Sequence, residues 1–502
     1  MRRAITAFAV TVLLAGPTAL AFREGGYFDP DRLAAGIVAW LLVLAALAGP
    51  APLPRRLGGR LALTGLALLA AWSAVSFAWA PLSSSATDAL QRLLLYLGAL
   101  TAAAGLLRAP PAQRVAEPAL AAGALVAVGY GLSERLLPGV LEFSRTPNAL
   151  GRLEQPLTYW NAMGALAALG AVLAARLAGD HTRSVWLRAA AAAGSVPLAA
   201  GVWLSFSRGV LAALGIGLLA LIALAPGRAQ LRAVAALLCT GVAGAAVANA
   251  FAGVRGLEGS LADREREGAL ALAALAALCC LAAVATWWLA RAERGGRLSV
   301  EYLRLPRRAP AIAAAAIVVL ALGTVTLAAR DRGHPPAAEG ASAARLKSIE
   351  SNRYEYWDVA LSDGFGAEPV RGLGAGGFQV AWLRHRDVPE GTKFAHSLYI
   401  NTLADLGAVG LALLVLFLGG VAAAAVRAHR LDGAAAAGPI ALVVVWAVHN
   451  AVDWDWELPA LTLFAVVAGG LLLARADAAE PALAADPAAG PALAAPAPVP
   501  AR

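Results

Sequence analysis

Runs of about 20 predominantly apolar residues recur along this chain, each long enough to span a bilayer as an α-helix. They fall near residues 4–22, 33–49, 61–79, 89–107, 116–132, 158–175, 186–205, 209–225, 232–252, 268–290, 310–329, 403–426, 438–452 and 457–474. A transmembrane β-barrel is excluded, because its strands read as alternating segments of about ten residues. Composition closes the other routes. With 60% hydrophobic and 15% charged residues, the chain is too apolar for a water-soluble domain and far too apolar for disorder. The sequence predicts an all-α fold, a polytopic transmembrane helical bundle of about 14 spans.

A formal charge of +9 and a pI of about 10.0 would suit a nucleic-acid partner in a soluble protein. In a multi-spanning protein they suit cytoplasmic loops, where Lys and Arg collect, and no nucleic acid is expected. With the first residues inside, connectors 50–60, 108–114, 176–188, 226–232, 291–308 and 427–431, together with both ends, carry about 22 Lys and Arg. The short loops of the other face carry about nine. Cys239, Cys279 and Cys280 lie inside apolar runs and read as packing residues, not as a disulfide or metal framework. Residues 1–22 also fit a signal peptide, although a retained first helix is the preferred reading. Five regions follow: N-terminal helices over 1–132, central helices over 133–329, an extracytoplasmic loop over 330–396, C-terminal helices over 397–474, and a disordered Ala/Pro-rich cytoplasmic tail over 475–502.

Candidate chemistry gathers on the outer face. Arg208, in Ser207-Arg208-Gly209 between two spans, either grips an anionic lipid phosphate or snorkels to headgroups. Arg353 opens an amphipathic stretch, with Tyr354, Trp357, Ala360 and Leu361 on one face, that is expected to lie as a helix along the membrane surface; Tyr356 sits within it. Gly372-Leu373-Gly374-Ala375-Gly376-Gly377-Phe378 matches G-x-G-x-x-G, but no strand precedes it. It reads instead as a turn whose backbone approaches a ligand or a helix closely. His396, at the mouth of a span in His396-Ser397-Leu398-Tyr399-Ile400-Asn401, is either a general base or a cap. His385, flanked by Arg384 and Arg386, ranks below it. The turn with Asp453, Asp455 and Glu457 between alternating tryptophans reads as a divalent-metal site or as an interfacial belt. There is no H-E-x-x-H pattern and no Gly-x-x-x-x-Gly-Lys loop, so neither zinc nor ATP is expected. Arg92 is the clearest charge inside a span.

The order of these motifs resembles the O-antigen ligase and O-antigen polymerase family of bacterial membrane glycosyltransferases. It runs from a membrane Ser-Arg-Gly to a long outer loop with Arg-x-x-x-x-Trp, then Gly-x-Gly-x-Gly-Gly-Phe, then His-Ser-Leu-Tyr-Ile-Asn followed by Leu-Gly-x-x-Gly-Leu. The likeness covers about residues 151–473 and is strongest over 353–411, and Gln155 to Ala162 resembles the family's outer element before the central helices. What the resemblance implies is an inverting, metal-independent transfer with no cofactor, in cell-envelope polysaccharide biosynthesis. A glycan moves from a polyprenyl diphosphate carrier, undecaprenyl diphosphate in bacteria, to a hydroxyl of a glycan or lipid-glycan acceptor, among membrane lipids at the outer face of the cytoplasmic membrane. The family's membrane arginine falls on Arg208, its loop arginine on Arg353 and its histidine on His396, with Tyr159, Asn161, Tyr356, Gly374, Gly376, Gly377, Ser397 and Asn401 as substrate-binding candidates. A Ser397 follows the histidine where the family often has Asn. The rivals are a repeat-unit polymerase of the same family and a transporter or flippase. Spans nearly free of Asp, Glu and Lys speak against the last of these.

Overall fold

The computed structural model describes residues 2–49, 52–301, 340–342 and 352–478. Among them the secondary structure is helical, without strands. In chain order the helices are α1 Arg2–Ala21, α2 Asp29–Leu47, α3 Leu57–Val75, α4 Ser83–Leu106, α5 Pro110–Leu136, α6 Trp160–Gly179, α7 Val185–Leu204, α8 Arg208–Leu224, α9 Arg228–Ala250 and α10 Ala252–Gly256. They continue with α11 Leu261–Arg294, α12 Arg353–Val359, α13 Phe378–His385, α14 Leu398–Leu431, α15 Gly433–His449 and α16 Pro459–Ala476.

Eleven of the described helices are long and apolar enough to cross a membrane, and α8 and α15 are shorter apolar helices of 17 residues. Each of the thirteen coincides with a run expected from the sequence. The remaining run, 310–329, and most of the expected tail lie outside the described residues. The bundle is a polytopic helical one.

At its centre stand α6 and α16, whose spanning windows are wholly buried. Both are made largely of Ala, Gly, Leu and Val, and small side chains let helix backbones close in where apolar lipid offers no hydrophobic drive. The α3–α14 pair is tighter still. A Cβ on Gly65 would lie 2.5 Å from the Phe417 nitrogen, and one on Gly420 would lie 2.2 Å from that of Ala62.

Successive connectors alternate between two ends of the bundle. One end is tied by buried ion pairs: Glu293 holds Arg188 at 2.7 Å and also pairs with Arg232, while Asp477 holds Arg108 at 2.7 Å. Glu301 belongs to it too, its carbonyl accepting from the Arg228 amide. At the opposite end Ala341 donates to the Leu150 carbonyl at 3.1 Å, and here the long loop is docked. The loop has a small core of its own, in which Tyr356, Val359 and Ala360 pack on Phe378, Trp382 and Ala404. This corrects the expected amphipathic face. The helix forms, but Tyr356 and Val359 turn inward with Ala360 while Leu361 is exposed, because the stretch packs on α13 and the start of α14.

Candidate active site

The turn between α15 and α16 organises this end of the molecule. Its three carboxylates are buried and diverge, each toward its own cation. Asp453 meets Arg353, Asp455 contacts Nδ1 of His449, and Glu457 pairs with Arg92 of α4. Charges removed from water are tolerable only when paired in this way. The Asn450 carbonyl accepts from the Leu398 amide at 2.8 Å, so the turn also fixes where α14 begins.

Asp453 is the hub. Tyr159 donates its hydroxyl to Oδ1 at 2.7 Å, and the Asn161 amide donates to Oδ2 at 2.7 Å and to the Tyr159 hydroxyl oxygen at 2.8 Å. Arg353 Nη2 reaches Oδ2 at 2.7 Å, and the Trp454 amide donates to Oδ1 at 2.9 Å. His396 Nδ1 stands 3.4 Å from Oδ1. Burial alone would push the Asp453 carboxyl up, but Arg353 and His396 beside it hold it well below the usual carboxylate range. It is an anion with both oxygens occupied.

His396 sits in left-handed backbone, at φ +51°, a conformation that costs a non-glycine residue about 1–2 kcal/mol. Ser397 caps α14 behind it, accepting from the Ile400 amide at 3.4 Å. The Asn401 side chain accepts from the Ala395 amide at 2.8 Å and donates to Asp405 at 2.8 Å. Ser397 and Asn401 thus hold the turn that presents the imidazole. The Tyr356 ring lies 5.3 Å from the His396 ring, and Trp454 lies 6.3 Å from it. Trp454 in turn packs on Tyr159 at 4.5 Å, Phe394 at 5.5 Å and Tyr27 at 5.9 Å. The connector between α1 and α2 therefore reaches the aromatic surround of the histidine.

The glycine-rich segment lies against the α3–α4 connector and the first turn of α4. Gly374 has φ +90° and a Cβ there would stand 2.5 Å from Ala80 Cα; Gly376 has φ +73° and its Cβ would stand 2.4 Å from that of Ser85. Gly377 closes the turn by donating to the Gly374 carbonyl at 2.8 Å. Opposite, α14 is broken at Gly407, at φ 65° and ψ −166°, a conformation open to glycine almost alone. The break frees main-chain groups, and the loop takes them up. Leu373 and Gly374 donate to the carbonyls of Ala404 and Asp405 at 3.0 and 2.8 Å, while Ala408 and Val409 donate to those of Pro369 and Val370 at 2.9 and 3.3 Å. Asp405 completes the join by accepting from the Phe378 amide at 2.7 Å and the Gly376 amide at 3.2 Å.

Arg208 opens α8, where Ser207 caps by accepting from Val210 at 3.4 Å. Its neighbour Gly209 lies against the hub's turn, since a Cβ there would be 3.0 Å from Val452 and 3.4 Å from His449. His385 pairs instead with Asp363 at 3.5 Å, on the exposed side of the loop.

Of the residues expected from the sequence, Arg353, His396, Tyr159 and Asn161 meet at Asp453, with Tyr356 beside them. Sequence reasoning weighed Asp453 as a metal ligand and missed it as the hub. Locally the chain shows only a carboxylate ahead of Trp454 at a span's edge; its partners Arg353 and Tyr159 lie 100 and 294 residues away. Among the described residues no three His, Cys, Asp or Glu are grouped to hold a metal ion.

Residues 264–415 match the family model of O-antigen ligase. The similarity to that family is confined to this segment. It covers just under a third of the chain and includes Arg353, the glycine-rich turn, His396 and the α14 break. No curated protein matches the chain. The many apolar helices and this family match together indicate a multi-pass membrane protein, and the function class that the match supports is a glycosyltransferase of ligase or polymerase type.

Proposed function

We propose that the protein transfers a glycan from a polyprenyl diphosphate carrier to an acceptor hydroxyl at the outer face of the cytoplasmic membrane, by inversion at the sugar carbon and without a metal. One observation carries the reading: an imidazole and a guanidinium share a single buried carboxylate.

A proton on His396 Nδ1, the nitrogen facing Asp453, leaves Nε2 basic. Nε2 takes the proton of the acceptor hydroxyl as its oxygen bonds to the anomeric carbon, and the bond from that carbon to the diphosphate oxygen breaks on the far side. The resulting imidazolium is stabilised by Asp453. Charge builds on the leaving diphosphate, so cations aimed at it favour the transition state over the ground state. Arg208, in the first turn of α8 beside the hub's turn, is assigned that role. Arg353 adds positive potential while holding Asp453 in place. The docked loop keeps out water that would otherwise hydrolyse the donor.

The test is single-turnover transfer by purified protein from a lipid-diphosphate donor. His396→Ala should lose about 10²–10⁴-fold in rate while remaining folded. Transfer at the wild-type rate by that variant would sink the base assignment. Mass spectrometry of the surface glycans in cells lacking the protein distinguishes the acceptors: lost attachment marks a ligase, and single repeat units mark a polymerase.

A further inference from the structure

The connector between α5 and α6 folds over a cavity of about 220 Å³ that the reaction above does not use. Glu134, Arg135, Arg145, Arg152 and Glu154 line it. A second cavity, of about 270 Å³, adjoins it and adds Phe143 and Arg264 to the wall. Glu134 and Arg145 line both. They pair with each other, Nε and Nη2 of Arg145 each standing 3.0 Å from Glu134 Oε1. The ion pair is therefore the partition between two chambers.

The walls are built before any ligand arrives. Arg135 is held by main chain through both terminal nitrogens, donating to the carbonyls of Val254, Arg255 and Gly151 at 2.7, 2.9 and 2.7 Å. Arg152 donates to the Ala149 and Asn148 carbonyls at 2.8 and 2.6 Å, and Glu154 accepts from the Thr146 amide at 2.8 Å. Arg145 differs. Its side chain is 47% exposed, over a Glu134 that is 7% exposed, so its fork can exchange or share partners at little cost.

The chemistry of this wall selects a ligand. Carboxylates stand among the arginines, which disfavours a phosphate, and the charged lining disfavours an acyl chain. A neutral polyhydroxylated ring suits both signs: its hydroxyls donate to Glu134 and accept from Arg145, and paired hydroxyls match the spacing of both forks. Phe143, stacked on Tyr130 at 4.6 Å, offers an apolar face to the ring's C–H edge. One wall of the first chamber connects to the hub through Arg152 and Trp160. The Arg152 guanidinium lies 3.7 Å from the Trp160 ring centroid, and the preceding residue, Tyr159, donates to Asp453.

The geometry points to a glycan subsite: the two chambers hold sugar units flanking the one that is transferred, and the Glu134–Arg145 pair reads hydroxyls on successive rings. This rests on the glycosyl-transfer reading. Donor glycan and acceptor glycan share the required chemistry, and the test separates them.

The probe is the oligosaccharide released by mild acid from the producing cell's own envelope polysaccharide, added to full-length protein in lipid nanodiscs. Calorimetry should show binding that Arg145→Gln and Glu134→Gln each weaken by about tenfold or more, with the melting temperature of Arg145→Gln unchanged. His396→Ala should bind the oligosaccharide as wild type does, so the subsite is tested even where transfer fails. In transfer assays Arg145→Gln should raise one KM with kcat within about twofold: the donor's KM if the chambers hold donor glycan, the acceptor's if they hold acceptor glycan. Absence of oligosaccharide binding by wild type, or unchanged affinity and unchanged KM values in Arg145→Gln, would overturn the subsite. Loss of transfer specificity with oligosaccharide binding intact in every variant would count against the Glu134–Arg145 pair as its reader.

Discussion

Asp453 ties together residues that the chain keeps far apart, from Tyr159 to Arg353 and His396, and its two oxygens have no room for a further role. Asp453→Asn should lower the transfer rate by about 10²–10³-fold, because it removes the charge that steadies the imidazolium, and single-turnover kinetics checks this. Arg353→Ala should be the more damaging for folding, since it strands a buried anion at a cost of about 3–5 kcal/mol. The sign of the pH effect follows from the carboxyl's lowered pKa. Between that value and the ordinary 3.8 the unfolded chain binds the proton and the folded one does not. The stabilisation is therefore complete above about pH 4 and drains away as pH falls below it. Melting temperatures from pH 3 to 6 should drop on acidification in wild type, and the Asp453→Asn variant should lack that part of the slope. At this scale the sequence was partly legible. His396, Arg353, Tyr159 and Asn161 could be named from motif and topology, whereas the carboxylate that joins them could not be, because a buried ion pair across about 100 residues leaves no local trace.

At the level of elements, the glycine-rich turn and the α14 break are two halves of one contact. Gly374→Ala should destabilise the protein by about 2–4 kcal/mol, from a positive φ and a clash with the Ala80 main chain. Thermal unfolding, with proteolysis near residue 374, measures it. A substitution at Gly391, where a Cβ meets nothing within 4 Å, should be neutral and serves as control. Helix positions were the most legible feature of all, since length and hydropathy alone fix a span. The break at Gly407 was not. It falls inside an apolar run whose composition continues smoothly, and only main chain from 369–374 explains how its freed groups are satisfied. The expected face of α12 was misread for a related reason: periodicity shows that a helix has a face but not whether lipid or a neighbouring helix covers it.

For the whole molecule, the alternation of connectors makes topology testable. A cysteine at Gly391, on the hub's end, should react with a membrane-impermeant maleimide in intact cells, whereas one at Arg297, on the end tied by Glu293, should react only after permeabilisation. The reverse pattern would put the hub on the inner face. The stitch between the 369–374 segment and α14 bears on how such a protein is loaded. Its four main-chain bonds, worth about 0.5–1.5 kcal/mol each, cross between two strands of chain and must part together. Hydrogen exchange at Leu373, Gly374, Ala408 and Val409 should accordingly be slow and concerted. A segment riveted in that fashion is a roof and not a door, so under the proposed function a carrier lipid would slide in from the side, between helices, along the plane in which it already diffuses.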